Sequence, residues 1–333
     1  MSPHSILTRL LVAPAALVLL GGALAACGSS GSAEEGKPLL RVGVQKDGIR
    51  SVLTQAGLLE DLPYEIEWSE FTAGPPIIEA AAADQIDVAW VGSAPPIFGA
   101  AAGAAFKVIA TVEEQDEKTD SILVPKGSDI RSSADLKGKK IAVGKGTSAH
   151  GHLLLALESA GLTLDDVDPQ YLQPAEGLAA FQAGEVDAWS IWDPFVTQAV
   201  NFVTQAVNED GAIDITADEG GSTDPYLAFE IASAASLEET DTRESIQHFV
   251  GLVRDGFEWA QENPDKWGEG WASESGLPVS TTSEVATKKA SVVGPVTEEH
   301  IASEQQLADA FFEAGEIPEK VDFSTVVEPG LID

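Results

Sequence analysis

The sequence predicts an α/β fold built as two similar lobes, each a mainly parallel sheet flanked by helices. Three observations carry this expectation. From about residue 38 onward, short β-prone runs alternate with helical runs, a pattern that forms parallel sheets with helices on their faces. The alternating block recurs about one hundred residues later, as an internal structural repeat would. The hydrophobic share, 44%, is that of an ordinary globular chain, so a real core is expected.

The elements follow in order. Leu39 to Val44 reads as a strand, Arg50 to Leu59 as a helix, and Tyr64 to Trp68 as a strand of alternating character. Pro76 to Ala83 is an alanine-rich helix, Ile86 to Val91 an apolar strand, and Pro95 to Ala102 a further helix. The second block begins with a strand at Lys140 to Val143 and a helix at His152 to Ala160. A strand at Pro169 to Leu172, a helix at Glu176 to Ala183 and a strand at Val186 to Ile191 follow, and Pro194 opens another helix. Ile86-Asp87-Val88-Ala89-Trp90 and Val186-Asp187-Ala188-Trp189 are counterparts, each with a helix-capping residue, Ser93 or Asp193, six positions after the Asp. Ser121 to Val124 and Tyr226 to Ile231 are the expected crossings between lobes. From Arg243 the chain is mostly helical. Ile246, Phe249, Val250, Val253, Phe257 and Trp259 fall mainly on one face, and Ile301, Leu307, Ala310 and Phe311 form a second such stripe.

Composition excludes several classes of function. The formal charge of −35 is spread along the whole chain, which disfavours nucleic acid and anionic membrane surfaces as partners. A single Cys removes disulfides and Cys-based metal sites. The acidic background also means that an anionic ligand needs a locally positive site.

That single Cys has a distinctive place. Met1 to Arg9 is short with a positive charge at Arg9, Leu10 to Leu20 is uncharged and apolar, and Gly21 to Ala26 is rich in small residues. This order is a secretory signal, and its apolar core is too short for a stable membrane span. Leu24-Ala25-Ala26-Cys27 resembles the lipobox of bacterial lipoproteins, which implies lipidation of Cys27 and attachment to the outer face of a membrane. Gly28 to Gly36 is rich in Gly, Ser and Glu and reads as a flexible tether. The expected divisions are a signal over 1–26, lipidated Cys and tether over 27–37, one lobe over 38–123 with 226–333, and the other over 124–225.

Candidate chemistry lies at the strand-to-helix junctions. Four stand out: Val44-Gln45-Lys46-Asp47, Phe71-Thr72-Ala73-Gly74-Pro75-Pro76, Val91-Gly92-Ser93-Ala94-Pro95-Pro96, and Lys145-Gly146-Thr147-Ser148-Ala149-His150. Ligands of open α/β sheets bind at the carboxyl ends of the strands. The first helical N–H groups there lack intrahelical partners, and the peptide dipoles add partial positive charge. Gly admits close backbone approach, and Ser and Thr add hydroxyl donors. Each helix end contributes about 0.3–1 kcal/mol, up to about 2 when partly buried. Several together, with hydrogen bonds, reach about −8 kcal/mol, a micromolar constant. A fifth junction, Trp189-Ser190-Ile191-Trp192-Asp193-Pro194, offers Asp193 as helix cap; Trp192 is open to reading as pocket wall or core, and Trp189 reads as core.

Catalytic patterns are weak. His150 and His152 are two apart and point to different helix faces, unlike a zinc-binding i, i+4 pair. Ser148 near His150 lacks a nucleophile elbow, and Lys145-Gly146-Thr147 lacks the P-loop spacing. Glu113, Glu114, Asp116 and Glu117 read as a charged, solvated loop.

At these residues the chain resembles the periplasmic solute-binding proteins of aliphatic-sulfonate ABC importers, within the wider taurine, sulfonate and nitrate group. The resemblance is carried by Val42-Gly43-Val44-Gln45-Lys46, Trp68 through Pro75, Gly92 through Phe98, Ala134 through Lys139, Lys145 through His150, and Ala179 through Pro194. It implies a type II periplasmic-binding-protein fold with two lobes hinged by two crossover strands. It also implies a ligand trapped between the lobes and docking of the closed form on a membrane permease driven by an ATPase. Carried over, the sulfonate meets Gly74, Ser93, Thr147 and Ser148, with Gln45 and Trp192 beside it; Gly92, Ala94 and Asp193 complete the candidate set. No cofactor, metal or catalytic residue is expected, and the protein is expected to act as a monomer. Ala73 stands where many relatives have Ser, and Ser93-Ala94 is nearer the taurine-type pattern. Taurine, nitrate and pyrimidine-precursor binding therefore remain alternatives, as do an extracellular hydrolase using Ser148 and His150 and a structural surface lipoprotein.

Overall fold

The computed structural model describes residues 37–332, apart from 115–119, 202–211, 216–226 and 290. The expected signal segment, Cys27, the tether to Gly36, and Asp116 and Glu117 lie outside the described residues.

Two sheets organise the chain. In the first, β1 (Leu39–Val44) lies between β2 (Glu65–Glu70) and β3 (Val88–Gly92), parallel to both. The connections carry α1 (Ile49–Gln55) and α2 (Gly74–Ala82), and α3 (Ala94–Ala101) follows β3. β4 (Phe106–Glu114), β10 (Leu227–Ser233) and β11 (Ser291–Gly294) extend this sheet with antiparallel pairings, giving the order β11-β4-β10-β3-β1-β2.

The second sheet repeats the plan. β6 (Lys140–Val143) is parallel to β7 (Asp168–Tyr171) and β8 (Ala188–Trp192), and β5 (Asp120–Pro125) runs antiparallel to β8 and to β9 (Ala212–Asp214). α4 (Ser148–Ser159), α5 (Pro174–Ala183) and α6 (Phe195–Asn201) flank it. Both sheets are thus mixed: parallel in the β/α/β portion, antiparallel where the chain enters or leaves. The segments expected to cross between lobes are strands within the sheets. The chain passes between sheets from Glu114 to Asp120 and from Ile215 to Leu227, and the expected lobe boundary at 123/124 falls inside β5.

The repeat in sequence has a matching chemistry. The backbone N–H of Arg41 donates to Asp87 Oδ2 at 2.6 Å, and that of Lys140 to Asp187 Oδ2 at 2.9 Å. In return the N–H groups of Asp87 and Asp187 donate to the carbonyls of Arg41 and Lys140, both at 2.8 Å. Each Asp thereby ties the start of the third strand of its block to the first. In the first block Arg41 also pairs with Asp87, whose side chain is buried, and this holds the guanidinium firmly charged.

α7 (Thr240–Glu262), α8 (Pro264–Ser275) and α9 (Val279–Lys288) pack with the first sheet, burying Ile246, Phe249, Val250, Val253 and Phe257 of the stripe read from sequence. Trp267 and Trp271 stack at 5.3 Å. α10 (Glu298–Glu313) does something different: it contacts both α3 and α4, and Leu307 and Phe311 pack close to Gly151. One apolar cluster consequently runs from Ile77 and Val91 in the first block through Phe311 to Ile141 and Leu153 in the second.

Candidate functional site

The carboxyl ends of β1, β3 and β8 and the starts of α2, α4 and α5 bound two chambers. The narrow one, about 40 Å³, is lined by Gln45, Gly74, Gly92, Thr147 and Ser148, with Glu114, Asp120 and Ala228 also on its wall. The wider one, about 330 Å³, is lined by Asp47, Glu70, Phe71, Gln173, Pro174 and Phe195 among others, a volume within the usual range for small-molecule sites. Gln45, Trp90, Trp192, Asp193 and Lys289 line both. At the edge, the Thr72 hydroxyl donates to Gln173 Oε1 at 3.0 Å and bridges the two blocks.

Local structure explains why the narrow chamber admits a small group. α2 begins Gly74-Pro75-Pro76 after extended Ala73, so the first turn forgoes no needed N–H. A Cβ on Gly74 would lie 2.4 Å from Pro95 Cγ, and one on Gly92 2.9 Å from Ser148 Cβ. These glycines let the two junctions approach each other. α4 starts after Thr147, whose backbone is extended (φ −93°, ψ 167°). Its hydroxyl donates to the Gly144 carbonyl at 2.7 Å, so that proton is engaged and the N–H groups at the start of α4 are the donors left to the chamber. Ser148 Oγ donates to Asp120 Oδ1 at 3.0 Å.

The Gln45 loop is fixed from outside. The indole N–H groups of Trp267 and Trp271 donate to the carbonyls of Gly48 (3.1 Å) and Lys46 (3.2 Å). Gly48 adopts φ +83° with its Cα against Trp271, a conformation and a proximity that favour glycine. Asp47 is buried and accepts the N–H groups of Gln45 and Ile49, both at 3.0 Å; burial nevertheless raises its carboxyl above the usual range. Asp193, also raised by burial, accepts the Thr197 N–H at 2.8 Å and so caps the first turn of α6.

Of the residues singled out from sequence, Gln45, Gly74, Gly92, Thr147, Ser148, Trp192 and Asp193 come together on these walls. Ser93 and Ala94 do not line either chamber; both are buried, and Ser93 makes no side-chain cap to α3. The expected cap at that position is corrected accordingly. Trp189 is core, at 1% exposure. Glu114 is no solvated loop residue: its side chain is 6% exposed at the end of β4 and pairs with Lys289 at 3.3 Å. Sequence reading missed Trp90 and Lys289. Trp90 stands two residues before Gly92 with its side chain on the chamber side, a placement that strand alternation could have revealed.

Ser148 and His150 are not assembled as nucleophile and base. His150 is fully buried, its Nδ1 accepts the Gly146 N–H at 3.2 Å, and its Nε2 faces Glu316 at 4.0 Å. Glu316 in turn pairs with Lys145 at 2.9 Å and accepts the Tyr171 hydroxyl at 2.9 Å. His150 therefore braces the Lys145–Thr147 loop in neutral form. Burial lowers its pKa to about 4, Glu316 opposing and Lys145 assisting. Between about pH 6.5 and 4 the unfolded chain takes up a proton that the folded one refuses, so this contribution to stability is lost as pH falls through that window. The expected loss is roughly 3 kcal/mol. Thermal unfolding followed from pH 7 to 4 should show it, and His150→Gln should flatten that part of the curve.

Comparisons with known proteins agree with this geometry. A family described as ABC-transporter, phosphonate, periplasmic substrate-binding protein matches residues 58–217. A protein of Escherichia coli strain K12, named for binding aliphatic sulfonates, is 37% identical over 91% of this chain and 92% of its own length. One of the same name from Bacillus subtilis strain 168 is 31% identical over 97% of this chain and 95% of its own. The structure of the alkanesulfonate-binding protein SsuA from Xanthomonas axonopodis pv. citri, bound to MOPS, superposes with a TM-score of 0.78 at 33% identity, covering 88% of this chain and 99% of that one. With the two-sheet fold and the chambers between the sheets, this similarity along almost the whole described chain shows that the protein belongs to the family of aliphatic sulfonates-binding proteins, the extracytoplasmic substrate-binding components of ABC transporters.

Proposed function

We propose that this chain binds an aliphatic sulfonate between its two lobes and delivers it to an ABC permease and its ATPase. The observation that carries the reading is the convergence of Gly74 and Gly92 from one block with Thr147 and Ser148 from the other on one narrow chamber. The start of α4 supplies N–H groups and its dipole to an oxyanion there, and α2, whose second and third residues are prolines, adds the Gly74 N–H and its dipole. Gln45, Trp192 and Asp193 border the organic part in the wider chamber. The lobes are residues 38–119 with 226–333, and 120–225, the expected boundary at 123/124 being shifted so that β5 stays whole in the second. Because both lobes contribute to the chamber, ligand favours the closed form through contacts that the open form lacks. The protein acts as a monomer, held at the membrane's outer face by lipid on Cys27. The Gly28–Gly36 tether keeps it near its permease and raises the effective concentration.

Calorimetric titration of the purified protein with ethanesulfonate, propane-1-sulfonate, taurine and nitrate tests the ligand class. Micromolar binding of the alkanesulfonates is expected, and silence with both would refute the reading. Thr147→Val removes the hydroxyl and its bond to Gly144; affinity for propane-1-sulfonate should fall three- to tenfold, while Thr147→Ser should stay within twofold. Unchanged affinity in Thr147→Val would take that residue out of the site.

A further inference from the structure

The helix ends account for one oxyanion in the narrow chamber, yet the wall shared with the wider chamber holds groups they leave unexplained. Among the described residues, Lys289 is the only lysine or arginine lining the narrow chamber, and it lines the wider one too. Its side chain is 9% exposed. The ammonium stands 3.3 Å from Glu114 Oε1 and 5.0 Å from the centre of the Trp90 ring. Glu114 divides its charge, since its other oxygen accepts the Ser291 hydroxyl at 3.1 Å. A separation of 3.3 Å is longer than a charge-assisted hydrogen bond, and an ammonium has three donors. Glu114 therefore positions this cation while taking at most one of its three donors. Beside it, the Trp90 indole N–H is buried and has no hydrogen-bond partner among the described residues. Of the nearby carboxylates, Asp47 and Asp193 feel the Lys289 charge but accept hydrogen bonds from the N–H groups of Gln45 and Ile49 and of Thr197, and Glu230, opposite Trp90, is held protonated up to about pH 8 by burial.

We propose that Lys289 and the Trp90 indole N–H form a second anion-accepting subsite where the two chambers meet, and that the ligand is a short-chain sulfonate carrying a carboxylate or similar oxyanion on its organic part. The inference rests on the sulfonate reading above. Because Lys289 and Trp90 line both chambers, the two anionic groups of the ligand are separated by only a short chain. Lys289 is kept out of water beside a cavity; Glu114, Asp47 and Asp193 balance its charge, but desolvating its ammonium is costly unless its donors are also satisfied. Its retention has a reason if a ligand oxyanion completes it.

Titrating the purified protein with 3-sulfopropionate and with propane-1-sulfonate, which differ by a carboxylate in place of a methyl, tests the subsite. The wild type should bind 3-sulfopropionate at least tenfold more tightly. Lys289→Gln should remove most of that preference, weakening 3-sulfopropionate several times more than propane-1-sulfonate. Trp90→Phe, which keeps a ring but loses the N–H, should reduce the preference severalfold. A double variant, Glu114→Gln with Lys289→Gln, removes both charges and should show the same selective loss. No preference in the wild type, or equal weakening of both ligands by Lys289→Gln, would overturn the second subsite while leaving the sulfonate reading standing. Failure of propane-1-sulfonate and 3-sulfopropionate alike to bind the wild type would overturn both.

Discussion

Glu230→Gln is expected to stabilise the protein, strongly above pH 8 and little near pH 5. Glu230 lies in β10 opposite Trp90 and Ala110, is 1% exposed, and neither carboxyl oxygen has a hydrogen-bond partner among the described residues. Burial, with the charge of Asp47 adding to it, raises its pKa to about 8. The sign follows from proton counting. Between about pH 4.5 and 8 the folded protein keeps a proton that the unfolded chain releases, so stability is lost as pH rises through that window. The full difference is roughly 3–5 kcal/mol above pH 8. Glutamine preserves shape and cannot ionise, which removes this loss. It leaves an amide in the same place, and an unsatisfied buried polar group still costs about 1–3 kcal/mol at every pH, so little change is expected in acid. Urea unfolding of both proteins at pH 5 and pH 9 decides the matter. Equal midpoints at pH 9 would mean that the carboxyl finds compensation on ionising.

Gly92→Ala is expected to weaken ligand binding by tenfold or more, about 1.4 kcal/mol, while leaving the ligand-free fold nearly intact. Gly92 ends β3 in the first sheet, and Ser148 begins α4 beside the second. An added Cβ would lie 2.9 Å from Ser148 Cβ and 3.2 Å from its Oγ, so the two junctions would have to separate. The φ angle of Gly92 is not in the left-handed region, and the substitution does not strain the strand itself. The cost therefore falls on the closed arrangement that holds the ligand. Calorimetry of the variant, with thermal unfolding as the control, reads both. Full affinity would show that the narrow chamber is not where the ligand closes the lobes.

Local patterning made much of the fold legible. The bounds of β1 and β6 follow from their apolar runs to the residue, and the Asp87 and Asp187 repeat pointed to two equivalent blocks, whose reciprocal bonds to Arg41 and Lys140 are now visible. The chain's β4 carried its own signal in Val108, Ile109, Thr111 and Val112 but lay between the two blocks and escaped the reading. Two other elements were harder. β11 has only four residues, and α8 has little beyond Trp267 and Trp271 to mark an apolar face. The site divides the same way. Junction residues such as Gly92 and Thr147 carry a local signature of glycine, hydroxyl and helix start. Lys289 carries none, because its meaning comes from Glu114 and Trp90, which only the tertiary fold brings to it.

The sulfonate is expected to sit at the meeting of the two blocks' helix starts. A crystal structure of the protein with propane-1-sulfonate tests it most directly. The sulfonate oxygens are expected within hydrogen-bond reach of the backbone at Gly92, Thr147 and Ser148, with the alkyl chain directed toward Trp90 and Trp192. A sulfonate bound elsewhere, or oriented with its alkyl end at Thr147, would contradict the account.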